Sequence, residues 1–403
     1  MAKRDDPVPR IVRFNGGRDA ERLGLKYKAM AENALGFLRG TCHLFAEDWD
    51  VGKSLSKAPS TWVCGDLHIE NLGSYKGDNR LVYFDIADFD EALLAPCTWD
   101  ITRLAVSAFV AARVYGLNAK TARKLSGLFV TSYSDWLRIG TPRWIERDTA
   151  VGAVAKLLRA LALRKRIAFI KARTVLQGSK RKLLIDGKHT LAASAAERKR
   201  VKDVIAKFAE DRSDRKFFRC LDVARRIAGT GALGLERWVI LIEGRGDVGG
   251  QFLLDLKFAA PSALAGHVHD AQPKWSCEAA RIVAVQRRMQ AIPPALLHPV
   301  ILDRESFVLR ELMPSQDKID FAGIRNATTE LPCLAADFGA LLAWAQLRSS
   351  GRDGSAIIDD LIAFAEKERW KRDVLDYAEQ YAQVVWSDWK EFRSAFGDRS
   401  LIA

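Results

Sequence analysis

The segment Cys64-Gly65-Asp66-Leu67-His68-Ile69-Glu70-Asn71 sets an aspartate and an asparagine five residues apart. A second acidic group, Asp85, Asp88, Asp90 and Glu91, follows a hydrophobic stretch, and Asp100 comes shortly after it. A carboxylate can orient or deprotonate a hydroxyl, and side-chain oxygens of Asp and Asn suit magnesium. That ion takes one or two carboxylates and completes its shell with water and phosphate oxygens. A turn-rich acidic hairpin would use the same residue types as caps. The ordered set, G-D-x-x-x-x-N, strand, D-F-D and an Asp at a helix start, selects phosphoryl transfer over that plainer reading.

A second group lies far along the chain. Gly229, Gly231 and Gly234 form G-x-G-x-x-G. In a dinucleotide-binding fold such a loop opens a helix. Here the next residues, Trp238 to Ile242, read as a strand. A glycine loop between two strands lets bare backbone close over phosphates. Lys257 alternates with apolar residues on the strand that follows, a pattern that ordinary sheet edges also show.

The first group resembles the H-G-D-x-x-x-x-N loop of aminoglycoside phosphotransferases and choline kinases, and the related H-R-D loop of protein kinases. Cys64 stands where the first His is expected, and His68 follows Asp66 by two residues. The resemblance implies that Asp66 is the catalytic aspartate and that Asn71 and Asp88 bind magnesium. Asp88 is preferred to Asp85 because it opens the D-F-D triplet and precedes Asp100 by twelve residues. Asp100 would buttress the catalytic loop. Asp90 stands where D-F-G has its glycine, which leaves the backbone less permissive. Gly229, Gly231, Gly234 and Lys257 would hold the ATP phosphates, with Glu278 or the neutral Gln286 pairing with Lys257. Phe307–Leu312 resembles the strand that enters the kinase hinge.

The implied cofactors are ATP and magnesium, and the implied acceptor is a small-molecule hydroxyl. A nucleotide-binding regulator without transfer, and nucleotidyl transfer to protein, stay open as alternatives. In kinases the glycine loop precedes the catalytic loop. Here it follows by more than 150 residues, which implies a circular permutation. The pattern of FLRG at Phe37–Gly40, LHIENLG, DFDEA and VQRRMQ resembles the bacterial DUF2252 family over about residues 25–385.

These motifs need elements to hold them. The 403 residues allow two or three lobes. The expected fold class is α+β, a kinase-like two-lobed fold. Residues 1–215 would form a helical catalytic lobe, 216–315 a β-rich ATP-binding lobe, and 316–403 a helical tail completing the large lobe. Residues 1–20 read as an irregular lead-in and 21–48 as helical. A strand at Thr61–Cys64 and a hairpin of Asn71–Tyr75 with Leu81–Asp85 follow. Trp99 to about residue 210 reads as mostly helical. Strands are expected at Trp238–Glu243, Phe252–Ala259 and Phe307–Leu312, a helix at Ser276–Gln290, and helices again over 330–397.

The net charge of +13 favours anionic partners without choosing among them. The basic run from Lys156 to Lys182 reads as a solvated helical face with a loop. Trp136 and Trp144 precede that run rather than interleave with it, so a nucleic-acid platform is not expected. The six cysteines form no CxxC pair, which speaks against zinc or a disulfide framework. His267 and His269 read as a surface loop. No secretory leader and no uncharged apolar run of about 18 residues is seen. The chain reads as cytoplasmic, with no membrane partner.

Overall fold

Along Phe252–Phe258 apolar and ionisable residues alternate in a way that gives the strand two different faces. It is central in a six-stranded antiparallel sheet. The order is His298–Leu302, Glu305–Glu311, Phe252–Phe258, Arg237–Ile242, Cys220–Arg226 and Thr190–Leu191. One face packs Trp238, Ile240, Leu254 and Leu256 against Val201 and Ile205 of the helix Ala195–Glu210. That helix begins with a capping box, Ser194 to Glu197. The other face packs Ala224, Val239, Leu241 and Leu253 against Ile170 and Leu183. Two strand steps beyond Leu253, the same face carries Asp255 and then Lys257.

The fold is a computed structural model that describes residues 5–49, 53–313, 317–325, 327 and 329–397. Its class is α+β, as expected. The largest core draws on both ends of the chain, from Ile11 to Phe392. Its main helices are Thr98–Val114, Ala119–Ile139, Glu330–Ser349 and Arg369–Gly397. Gly339 lets two of them meet closely, since a Cβ there would overlap the Phe129 carbonyl. The hairpin that follows Asn71, Leu72–Lys76 with Val82–Ile86, pairs in register Gly73 to Asp85 and lies against this core.

Most expected elements form within a residue or two. The lead-in differs. Residues Pro7–Phe14 form a helix, capped by the Asp6 side chain on the Val8 N–H and started by proline. Residues 1–4 lie outside the described residues, as does the expected boundary at 315 and 316. The helical expectation also fails between Lys171 and the helix Ala195–Glu210. Thr174–Gln177 and Lys180–Leu183 form a hairpin, because the β-branched Thr174 and Val175 favour a strand and Gly178-Ser179 supplies the turn. The basic run is therefore split between helices Gly152–Leu163 and Arg166–Lys171 and that hairpin. Among the described residues no helix is long and apolar enough to cross a membrane. His267 and His269 are exposed in a loop.

Candidate functional site

The site is built from the helix start at Thr98. Asp100 lies in its first turn, fully buried, and accepts the N–H groups of Cys64 at 2.8 Å and Gly65 at 3.0 Å. Gly65 has φ of 85°, and a Cβ there would run into the Glu91 carbonyl, so only glycine fits the turn. Trp99 donates its indole N–H to the Gly65 carbonyl at 2.9 Å. The loop that presents Asp66 is thus held by the helix that follows the hairpin.

One helical turn after Asp100, Arg103 shares that face. Its Nε and Nη2 donate to Asp66 Oδ1 at 3.0 and 2.8 Å. Burial lifts the Asp66 carboxyl above its ordinary value, and Arg103 opposes the rise. The Asp66 side chain keeps 19% of its surface exposed while Arg103 keeps none. The Asn71 amide N–H group donates to the carbonyls of Asp66 at 3.1 Å and Asp88 at 3.4 Å. That fixes the amide and leaves Oδ1 as an acceptor. His68 caps the short turn Ile69–Asn71 by accepting the Glu70 N–H at 3.2 Å, and burial pushes its pKa far down. Burial raises the Cys64 thiol well above its ordinary range, so it is not a thiolate nucleophile.

Lys257 reaches this loop from the sheet. Its Nζ lies 3.4 Å from Asp88 Oδ1 and also pairs with Asp90. Lys257 is 6% exposed and Asp88 45%, so the lysine forms the floor and the carboxylate faces open space. Burial acts to raise the Asp88 carboxyl, but Lys257, Arg310, Arg237 and Lys318 hold it below the usual carboxylate range. Burial and the neighbouring Asp88 raise Asp90. Behind Lys257, the buried Asp255 is shared by Arg237 at 2.6 Å, Arg226 at 2.7 Å and Arg310 at 3.6 Å. Lys318 enters from below and donates to the Glu70 carbonyl at 2.7 Å. Burial lowers its pKa to about 8.

The structure brings Asp66, Asn71, Asp88 and Lys257 into one cleft. The glycine loop lies beside it. Arg237 donates to the Ala228 carbonyl at 2.9 Å, and Gly231 lies against the Arg39 backbone. Arg39 in turn pairs with Glu70 of the loop that carries Asp66 and Asn71 at 2.5 Å. Arg18 and Lys26 bind the loop's outer carbonyls at Gly231 and Leu233. Neither Glu278 nor Gln286 reaches Lys257. Glu278 sits at the very start of its helix and pairs with Arg281 at 2.7 Å, while Gln286 is buried against Gln290. Asp90 takes the place of a helix acid. Asp85 turns away from the cleft and pairs with Arg348 at 3.2 Å.

Sequence reasoning missed Arg103, Asp90 and Lys318. Arg103 was findable, three residues after Asp100 on a helix. Asp90 sat inside a motif read for its missing glycine. Lys318 carried no local signal.

Among the described residues no group of three or more His, Cys, Asp or Glu side chains could hold a metal. The donor set that remains, Asp88 and the Asn71 Oδ1, fits magnesium arriving with phosphate oxygens. It does not fit a metal caged by protein alone.

The sequence model of uncharacterized proteins conserved in bacteria, DUF2252, matches residues 18–395. The chain belongs to the DUF2252 family. The match includes the Asp66–Asn71 loop and its hairpin, the glycine loop and the lysine strand, so the whole cleft lies within the family's shared region. No curated protein and no solved structure matches this DUF2252 chain.

Proposed function

We propose that this DUF2252 protein is an ATP- and magnesium-dependent phosphotransferase with a circularly permuted, kinase-like two-lobed fold. The observation that carries the reading is the meeting of Lys257 with Asp88, 169 residues apart in the chain. Each motif set holds half of a phosphoryl-transfer site, and neither half serves without the other. Element order within the sheet supports it. The glycine loop joins Cys220–Arg226 to Arg237–Ile242, the next strand carries Lys257, a helix follows, and Glu305–Glu311 comes last.

Asp66 orients the acceptor hydroxyl and takes its proton, with Arg103 fixing the carboxylate. Asn71 and Asp88 would hold magnesium, which neutralises charge on the phosphates when bound. Lys257 and the backbone of the glycine loop bind phosphate oxygens, and Lys318 adds positive charge at the cleft floor. The likeness to aminoglycoside and choline kinase motifs favours a small-molecule hydroxyl as acceptor.

Nucleotidyl transfer is the second reading, and one observation favours it. The sheet face beside Lys257 carries Asp255 with three arginines, and beyond them Ile170 and Leu183 fill it. That ground suits a phosphate chain better than a base. Purified protein incubated with magnesium and ATP labelled separately at the α or γ phosphate decides between them. Transfer of γ-label supports the phosphotransferase, and transfer of α-label supports the second reading. Tight nucleotide binding with neither label moved would make the protein a non-transferring regulator.

A further inference from the structure

At the far end of the same strands lies a small pocket, with a cavity volume of about 70 Å³ and partly open to solvent. Tyr75 and Lys76 enter it from the catalytic-loop hairpin, and Phe252 from the start of the lysine strand. Arg164 and Arg166 enter from the basic run, which the cleft does not use. Lys76 is five residues past Asn71, and Phe252 five before Lys257. At about 3.3 Å per strand residue the pocket is therefore about 17 Å from the cleft. Lys318 forms a backbone bridge to Gly73 of the hairpin, directly after Asp317. Asp317 lines the pocket, and Lys318 reaches the Glu70 carbonyl in the catalytic loop.

The charges around this pocket do not balance. Arg164 is matched by Asp317 and Arg80 by Glu311. Lys76 and Arg166 have no ion-pair partner among the described residues, so the cations of the lining, Lys76, Arg164 and Arg166, outnumber its carboxylates, Glu311 and Asp317. The Arg166 guanidinium lies 3.7 Å from the centroid of the Phe252 ring. Stacking fixes its plane and leaves its N–H edges to donate. Burial lowers both Lys76 and Arg166 from their ordinary pKa values, with nearby cations adding to the shift and Glu311 opposing it, so a bound anion would add counter-charge where burial has removed water. The remaining wall is apolar, from Leu161, Ile170, Leu312 and Met313.

We infer that this pocket binds a small organic phosphate, with Lys76 and Arg166 holding the dianion and the apolar wall receiving the organic body. An anionic phosphate suits a lining in which cations outnumber carboxylates, and a guanidinium with a fixed plane suits phosphate oxygens. The inference does not depend on phosphoryl transfer in the cleft. A ligand there would touch both the sheet and the catalytic-loop hairpin.

Calorimetric titration with phenyl phosphate, without magnesium and at low ionic strength, tests it. The wild-type protein should bind phenyl phosphate more tightly than inorganic phosphate or benzoate. Lys76→Met and Arg166→Gln should each weaken it by about tenfold or more, as expected for a lost charge-assisted contact. Asp88→Asn should leave it unchanged. Lys76→Met keeps the apolar stem, so it carries the test if Arg166→Gln proves misfolded by circular dichroism. Absence of binding at millimolar phenyl phosphate would overturn the inference, as would binding indifferent to both substitutions. Loss in Asp88→Asn would move the ligand to the cleft. Benzoate binding as tight as phenyl phosphate would overturn the dianion assignment.

Discussion

At the scale of single residues, the cleft separates two aspartates by their partners. Asp66 leans on a fully buried arginine yet keeps an exposed edge, which suits a group that handles an acceptor's proton. Asp66→Ala should reduce turnover by ~10²–10⁴-fold while nucleotide affinity stays within a few fold. Single-turnover assays and calorimetry on the same folded variant check both halves. Asp88 and Asp85 make the sharper contrast. Asp88 faces the cleft with Lys257, whereas Asp85 is buried against Arg348. Asp88→Asn should weaken magnesium-dependent ATP binding and spare the melting temperature. Asp85→Asn should do the reverse, because it leaves a buried guanidinium short of its counter-charge. A magnesium titration with ATP beside a thermal melt reads both. A larger loss of ATP binding in Asp85→Asn would put the metal on the wrong carboxylate.

At the scale of elements, the lysine strand is held in place by charge as much as by packing. Asp255 sits two residues before Lys257 and is shared by arginines from three other strands of the sheet. Burial acts to raise its carboxyl, but Arg226, Arg237 and Arg310 hold it well below the ordinary range. Asp255→Ala should cost about 3–5 kcal/mol, because it strands buried positive charge rather than merely deleting a contact. Urea unfolding measures the loss. The sign of the pH dependence follows from the lowered pKa. The contribution of Asp255 is full above the ordinary carboxylate pKa of about 4 and fades as pH falls further. The wild-type advantage over Asp255→Ala should therefore shrink only in acid. An advantage that is constant from neutral pH to well below 3 would show that the carboxylate's charge is not what matters.

At the scale of the molecule, chain order and spatial order disagree, and the cleft depends on the second. Residues from both ends of the chain share the largest core, so the late glycine loop can lie beside the early loop of Asp66 and Asn71. A ligand that bridges the two should stabilise them together. At a hundredfold excess over its dissociation constant, ATP with magnesium should add about 2.7 kcal/mol to stability. Hydrogen exchange should then slow in residues 229–234 and in 64–90 at the same nucleotide concentration. Protection confined to one of the segments would argue against a single shared site. Chelating magnesium should abolish the effect in both.

The sequence by itself determined the local pieces. Spacing of Asp66, Asn71 and Asp88, the strand after the glycine loop and the alternation around Lys257 are properties of short segments, and short segments obey local rules. The helix at Asp100 was legible for the same reason, and with it the buttress on Cys64 and Gly65. Tertiary structure decided what those pieces touch. Lys257 meets Asp88 and Asp90 rather than Glu278, because the helix start sits beyond its reach and the acidic hairpin lies opposite. Arg164 and Arg166 leave the solvated face their composition suggested and line a pocket, because a hairpin follows them and turns the run against the sheet. Lys318 enters the cleft from a segment with no motif at all. Contacts between distant segments depend on how whole faces bury one another, and no local pattern encodes that.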